Sequence, residues 1–166
     1  MIEIYTDGSS RGNPGTGGYG VVVLIDDVID YIFSEQEQYT TNNQMELKAI
    51  IHALELIKTK YKEDKCIIYS DSAYCVNMCN DWINKWSQNG WKTSKNEEIK
   101  NIDLIKKLYE LLKVDFPNFV IKKCIGHSGN IGNELADAVA SSNSTKFAKI
   151  KKENDISFLF DFNLEI

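Results

Sequence analysis

Five residues near the middle of the chain, Cys66 to Ser70 (CIIYS), form a short and nearly continuous apolar run. A run without polar alternation is expected of a central strand covered on both faces. Before it, from Asn42 to Lys60, Met45, Ala49, Ile50, Ala53, Leu54 and Ile57 recur at helical spacing. Thr41 or Asn43 can cap that helix, with Gln44 or Glu46 at its third position. Earlier still, Ile2 to Asp7 alternates with Ile2, Ile4 and Thr6 on one face. Gly17 to Ile25 and Val28 to Phe33 are β-rich and are split by the turn residues Asp26 and Asp27, which predicts an antiparallel meander.

After the central strand, Ser72 to Trp86 reads as one or two helices, and Ile99 to Lys113 as another that stops ahead of Pro117. Phe119 to Ile125 is the last expected strand. Ile131 to Ser142 is a final amphipathic helix with Ile131, Leu135, Ala138 and Val139 inward. The order β-β-β-α-β-α-α-β-α predicts an α/β fold, a mixed sheet with helices on both faces. Ser141 to Asp155, polar and lysine-rich, reads as a mobile loop or tail. The closing ISFLFDF (Ile156 to Phe162) is apolar enough to dock on the body.

Four carboxylates stand out against this framework: Asp7 in IYTDGSSRGNPG, Glu46 in TTNNQMEL, Asp71 in IIYSDSAY and Asp137 in NELADAVA. Three fall where a strand ends or a helix begins, and Asp137 lies inside the last helix. Singly, each has a structural explanation: Asp7 can begin a turn, Glu46 can close a capping box, Asp71 can cap a helix, and Asp137 can be solvated surface. Together, with no Lys or Arg in the immediate motifs beyond Arg11, they imply converging like charges that need a cation. Hard oxygen donors without a Cys or His core ask for Mg2+ or Mn2+ rather than zinc. The expected chemistry is metal-dependent and acts on phosphate.

Composition sets limits on this. At 166 residues, 43% hydrophobic and 26% charged, the chain suits one domain. No apolar run approaches the ~18 residues of a membrane span, and no basic-then-apolar signal opens the chain, so a cytoplasmic protein is expected, with the oligomeric state open and a monomer as the default. Cys66, Cys75, Cys79 and Cys124 lack paired C-x-x-C spacing, which favours free thiols in a reducing compartment over zinc or disulfides. A formal charge of −5 runs against a nucleic-acid partner. The acids of the site and the clustering of the lysines soften that objection.

Five motifs in register, DGSSRGNPGTGGYG, TTNNQMEL, YSDSAYCVN, the Trp82–Trp86–Trp91 segment ending GWKT, and IGHSGNIGNELAD, together resemble type 1 ribonuclease H in its cellular, free-standing form. The resemblance covers residues 1–145 as a catalytic domain and leaves 146–166 as a C-terminal tail. It implies a ribonuclease H-like five-stranded sheet and an endonuclease that cuts the RNA strand of an RNA/DNA hybrid, leaving 5′-phosphate and 3′-hydroxyl ends. Asp7, Glu46, Asp71 and Asp137 would hold two Mg2+ ions, with Mn2+ able to substitute, and Asp7 would bridge them. His127, in the loop GHSGN, would transfer protons or aid product release. His52, mid-helix, serves as its structural counterpart.

The resemblance also assigns substrate contacts. Ser10, Asn13, Asn42, Asn43 and the backbone near Gly8 would read the minor groove and its 2′-hydroxyls. Thr41 and Asn101 would hold a DNA phosphate. Trp82, Lys85, Trp86, Trp91 and Lys92 would form a protrusion that grips the DNA strand. That protrusion departs from the family pattern, because Ser87, Gln88 and Asn89 stand where basic residues are common and Glu97 and Glu98 dilute it. Ala73 replaces an amide found in many relatives. Competing expectations are a same-fold DNA nuclease of the junction-resolvase kind, a catalytically silent hybrid-binding module, and a domain cut from a reverse transcriptase.

Overall fold

β1 (Ile2–Ser10) pairs antiparallel with β2 (Gly15–Ile25), and β2 pairs antiparallel with β3 (Val28–Thr40). On its other side β1 runs parallel to β4 (Cys66–Ser70), which runs parallel to β5 (Ile121–Lys123). The computed structural model describes residues 1–62, 65–117, 119–124 and 130–154. Its sheet has five strands in the order β3-β2-β1-β4-β5, so β1 is central.

The helices are α1 (Asn42–Thr59), α2 (Ala73–Asn77), α3 (Ile83–Gln88), α4 (Ile102–Glu110), α5 (Ile131–Ala140) and α6 (Ser144–Asn154). π-helical turns at Met78–Trp82 and Leu111–Asp115 join α2 to α3 and extend α4. Alternate residues of β2 enter two different cores. Val21 and Val23 pack with Met45, Leu47, Ile50 and Leu54 of α1, and with Ile105 and Leu108 of α4. Val22 and Leu24 pack with Leu135, Ala138 and Val139 of α5 and Ile150 of α6. The unbroken apolar run in β2 thus follows from burial on both faces. Among the described residues no helix is long and apolar enough to cross a membrane.

Several expectations are corrected by this fold. β1 does not end at Asp7 but runs on to Ser10, so Asp7 lies within the strand. β3 extends past Phe33 to Thr40, because its polar second half (SEQEQYT) is held by pairing with the glycine-rich start of β2. β5 is shorter than expected, and Ile125 lies outside the described residues. Asn80 stands in for a neighbouring strand beside it: its side-chain amide donates to Ile121 O (2.7 Å), and its Oδ1 accepts from Ile121 N (3.0 Å).

The polar stretch expected as a loop is largely the helix α6. α5 ends in a Schellman motif: Ser142 takes a left-handed φ of 53°, Asn143 N donates to Ala138 O (2.9 Å) and Ser142 N to Val139 O (3.4 Å). The Asn143 carboxamide then accepts from Lys146 N (3.0 Å), as an N-cap does. Ile150, 3% exposed, and Phe147 anchor the returning helix on the second core. The ISFLFDF segment lies outside the described residues.

Candidate active site

Thr6 of β1 pairs with Ser70 of β4, so the next residues, Asp7 within β1 and Asp71 just past β4, lie side by side where the parallel pairing ends. Glu46 reaches them from the first turns of α1. Thr41 is the N-cap of α1 and Gln44 completes its capping box, so Glu46 is released from the capping role that its position also allowed. Gly8 makes the approach possible. A Cβ there would lie 2.3 Å from Glu46 N and 2.4 Å from Met45 C, inside the backbone of α1. On the neighbouring strand Gly20 pairs with Asp7, and a Cβ at Gly20 would meet Val139 Cγ2 at 2.4 Å, which lets α5 rest on the sheet.

The result is a tight acidic cluster. Asp7, Glu46 and Asp71 each offer a carboxylate oxygen, and these oxygens all lie within 4.8 Å of one another. Asp7 and Glu46 are buried, 6% and 7% exposed, while Asp71 is more open. Burial, and then the charges of Glu46 and Asp71, push the Asp7 carboxyl well above the usual carboxylate range. Burial and the charge of Asp71 likewise raise Glu46, against opposing hydrogen bonds from Asp7, Gly8 and Ser70. Gly8 N also donates to Asp7 Oδ1 (2.9 Å). Glu46 Oε2 is buried and has no protein partner among the described residues. An all-oxygen donor set with an unsatisfied buried oxygen suits a hard divalent cation.

Asp137 stands beside this triad rather than in it. Its charge is felt by Asp7, but its Oδ2 is held by Lys146 Nζ at 2.7 Å, an ion pair from α6 that no local pattern of residues announces. His127 lies outside the described residues. His52 is structural: its ring stacks on Phe33 at 4.1 Å between centroids, and Nε2 is 3.0 Å from the Tyr31 hydroxyl.

The polar residues assigned to substrate form two connected groups. Asn42 Oδ1 accepts from Ser10 N (2.6 Å) and Asn13 Oδ1 accepts from Asn42 N (2.9 Å), with the Ser10 hydroxyl donating into the same network. Both Oδ1 atoms accept within this network, and among the described residues neither Nδ2 donor has a protein acceptor. Next to them, Gln44 Nε2 donates to Asn101 Oδ1 (3.2 Å), where Asn101 sits at a left-handed φ of 60° at the start of α4. Asn13, Thr41, Asn42, Asn43, Lys100 and Asn101 line an open cavity of about 590 Å³. Gln44, expected only as a capping residue, also ties Asn101 to the start of α1, and Lys100, expected with the lysines of the protrusion, lines this cavity instead.

The three tryptophans are half-buried and pack against the first core. Trp82 and Trp86 lie 6.1 Å apart between ring centroids, and with Lys85, Asn89, Thr93 and Ser94 they border a cavity of about 380 Å³. Trp91 meets Tyr109 edge-on at 5.3 Å. Lys85 is paired with Asp81 at 3.3 Å, and the backbone of Lys92 forms an isolated antiparallel β-bridge with that of Glu98. Packing therefore explains much of the aromatic cluster.

A central parallel pair that delivers two carboxylates at its exit, met by a glutamate from the following helix, defines the ribonuclease H-like class of α/β proteins. Residues 1–145 match the profile of the RNase H family. A Ribonuclease H from Caldicellulosiruptor saccharolyticus is 46% identical over 142 residues, spanning 85% of this chain and 94% of that one. One from Orientia tsutsugamushi is 40% identical over 159 residues, spanning 93% and 88%. Among solved structures, compost-derived LC11-RNase H1 in complex with RNA/DNA hybrid superposes with a TM-score of 0.62 at 27% identity, covering 87% of this chain and 99% of that one. The chain belongs to the RNase H family, and it is accordingly a nuclease and a hydrolase.

Proposed function

We propose that this chain cuts the RNA strand of RNA/DNA hybrids, with Asp7, Glu46, Asp71 and Asp137 as its catalytic carboxylates. The observation that carries the reading is the triad of carboxylates within 4.8 Å, one buried oxygen of which has no partner among the described residues. Mg2+ is the natural occupant and Mn2+ can substitute. Two such ions, when bound, would supply a nucleophilic water and offset charge on the scissile phosphate and the leaving oxygen. The protein's own part is to hold the acids in fixed geometry, with Asp7 and Glu46 shielded from water and Asp71 open to substrate. Asp137 completes the set from α5. By family resemblance His127 moves a proton or speeds product release.

The Nδ2 groups of Asn13 and Asn42, which have no acceptor among the described residues, suit recognition of 2′-hydroxyls in the minor groove together with Ser10, Asn43 and the Gly8 backbone. Thr41, Asn101 and Lys100 suit a phosphate of the DNA strand. Trp82, Lys85, Trp86, Trp91 and Lys92 carry that strand further along, more weakly than a fully basic protrusion would. Cysteines held as thiols rather than disulfides fit the reducing cytoplasm, where we place the chain as a monomer.

The test uses a hybrid labelled on its RNA strand, with double-stranded RNA and DNA alongside. Cutting of the hybrid RNA alone, stopped by EDTA, is the expected result. Asp71→Asn should lower turnover at least 100-fold, about 3 kcal/mol of transition-state stabilisation, while still binding hybrid. Turnover above roughly 1% of the parent rate would sink the ligand assignment.

A further inference from the structure

We infer that Lys146 is a built-in counter-cation of Asp137, which competes with a divalent ion for that carboxylate and so sets how much ion the site requires. This rests on the reading of Asp137 as a ligand. Three observations carry it. The Lys146 ammonium lies 2.7 Å from Asp137 Oδ2, with the two side chains 28% and 44% exposed. The lysine is delivered by a built element: the Schellman turn after α5, the Asn143 cap and the buried Ile150 fix where α6 starts and which side faces α5. Finally, Asp137 stands outside the triad of oxygens that lie within 4.8 Å of one another, the geometry expected if its carboxylate is already engaged.

An ammonium at hydrogen-bond distance and a divalent ion both seek the same carboxylate oxygens. An ion that takes up Asp137 must displace Lys146 or share the carboxylate with it. With the ion absent, Lys146 holds Asp137 in place and offsets part of the charge that would otherwise act on Asp7. The α6 helix begins close to residue 145, where the match to the family profile ends, so Lys146 lies just past that match.

The experiment is calorimetric titration of ion-free protein with Mn2+, which reads binding without turnover. Lys146→Met keeps the aliphatic stem and removes the charge. It should tighten the weaker Mn2+ binding step about two- to fivefold, the range open to a half-exposed ion pair. Lys146→Gln should do the same, and Lys146→Arg should match the parent. Lys149→Met, on the same helix but with its side chain 73% exposed, should leave binding unchanged. Unchanged or weaker binding in Lys146→Met overturns the inference, as does an equal gain in Lys149→Met, which would mean bulk charge alone. Asp137→Asn separates the two layers of the argument. If it weakens Mn2+ binding and abolishes the effect of Lys146→Met, both readings stand. If it weakens binding while Lys146→Met has no effect in the parent, only the inference falls. If Asp137→Asn leaves Mn2+ binding unaltered, the ligand reading falls and takes the inference with it.

Discussion

Replacing Asp7 by Asn should make the ion-free protein more stable while destroying its activity. Carboxylate oxygens of Asp7, Glu46 and Asp71 lie within 4.8 Å of one another. At an effective dielectric of about 20, two unit charges at that separation repel by about 3.5 kcal/mol. Neutralising Asp7 removes two such pairs. Partial protonation and side-chain relaxation relieve much of that in the parent, which leaves a net gain of about 2–4 kcal/mol. The asparagine keeps an Oδ1 to accept from Gly8 N, so little is lost in exchange. For a chain of this size the melting temperature in EDTA should rise by roughly 5–15 °C. Because the folded-state pKa values of Asp7 and Glu46 are raised, their contribution is fully favourable below the unfolded carboxylate range and is lost as pH climbs through the folded values. The parent in EDTA should therefore lose stability from about pH 5 towards pH 8, and Asp7→Asn much less. Saturating Mg2+ should raise the parent's melting temperature and close most of the gap. Calorimetric melts with and without EDTA make the measurement. If Asp7→Asn melts at or below the parent temperature in EDTA at pH 8, the three acids are not held as a mutually repelling cluster.

Gly8→Ala would place a Cβ inside the α1 backbone, so it should destabilise by about 1–3 kcal/mol and lower turnover more than hybrid affinity, because it pushes Glu46 away from Asp7. A denaturation midpoint and turnover number both equal to the parent's would show that α1 yields freely. Asn80→Ala removes both side-chain partners of the Ile121 backbone, and Ile121 is 1% exposed. A loss of about 2–4 kcal/mol in urea unfolding and faster amide exchange at Ile121 should follow, with hybrid cleavage kept. Parent-like exchange at that amide would refute the pinning role.

The acids were legible because each sits in a motif whose residue types are fixed by local need: a strand leading to Asp7, a capped helix carrying Glu46, an apolar strand ending before Asp71. Periodicity also gave the sheet and its helices, since β2 and α1 bury enough apolar surface to write their pattern into the chain. It failed where polar residues are held by partners distant in sequence. The second half of β3 is a strand because β2 is beside it, and β5 is completed by an asparagine from the π-helical turn after α2. In α6, Phe147 and Ile150 are too few to set a helical period. Asn143 as a cap was the available signal, but nothing local says that the helix folds back onto α5. Lys146 could not be matched to Asp137 without that turn.

The like charges at the site are balanced by packing rather than by long side chains reaching inward. Gly8 admits the backbone of α1 to one face of β1, and Gly20 admits α5 to the partner strand, so Glu46 and Asp137 arrive on rigid helices. Met45 and Leu47, on either side of Glu46, are fully buried, as are Ala136 and Ala138 on either side of Asp137. Glu46 is thus held by neighbours whose burial stabilises by about 1.5–3 kcal/mol each, comparable to the repulsion that one carboxylate feels, and Asp137 by the smaller contribution of two alanines. A cluster assembled this way cannot relax by swinging a side chain into water without exposing the core beside it. That makes a cation, whether a divalent ion at the triad or Lys146 at Asp137, the cheaper route to neutrality.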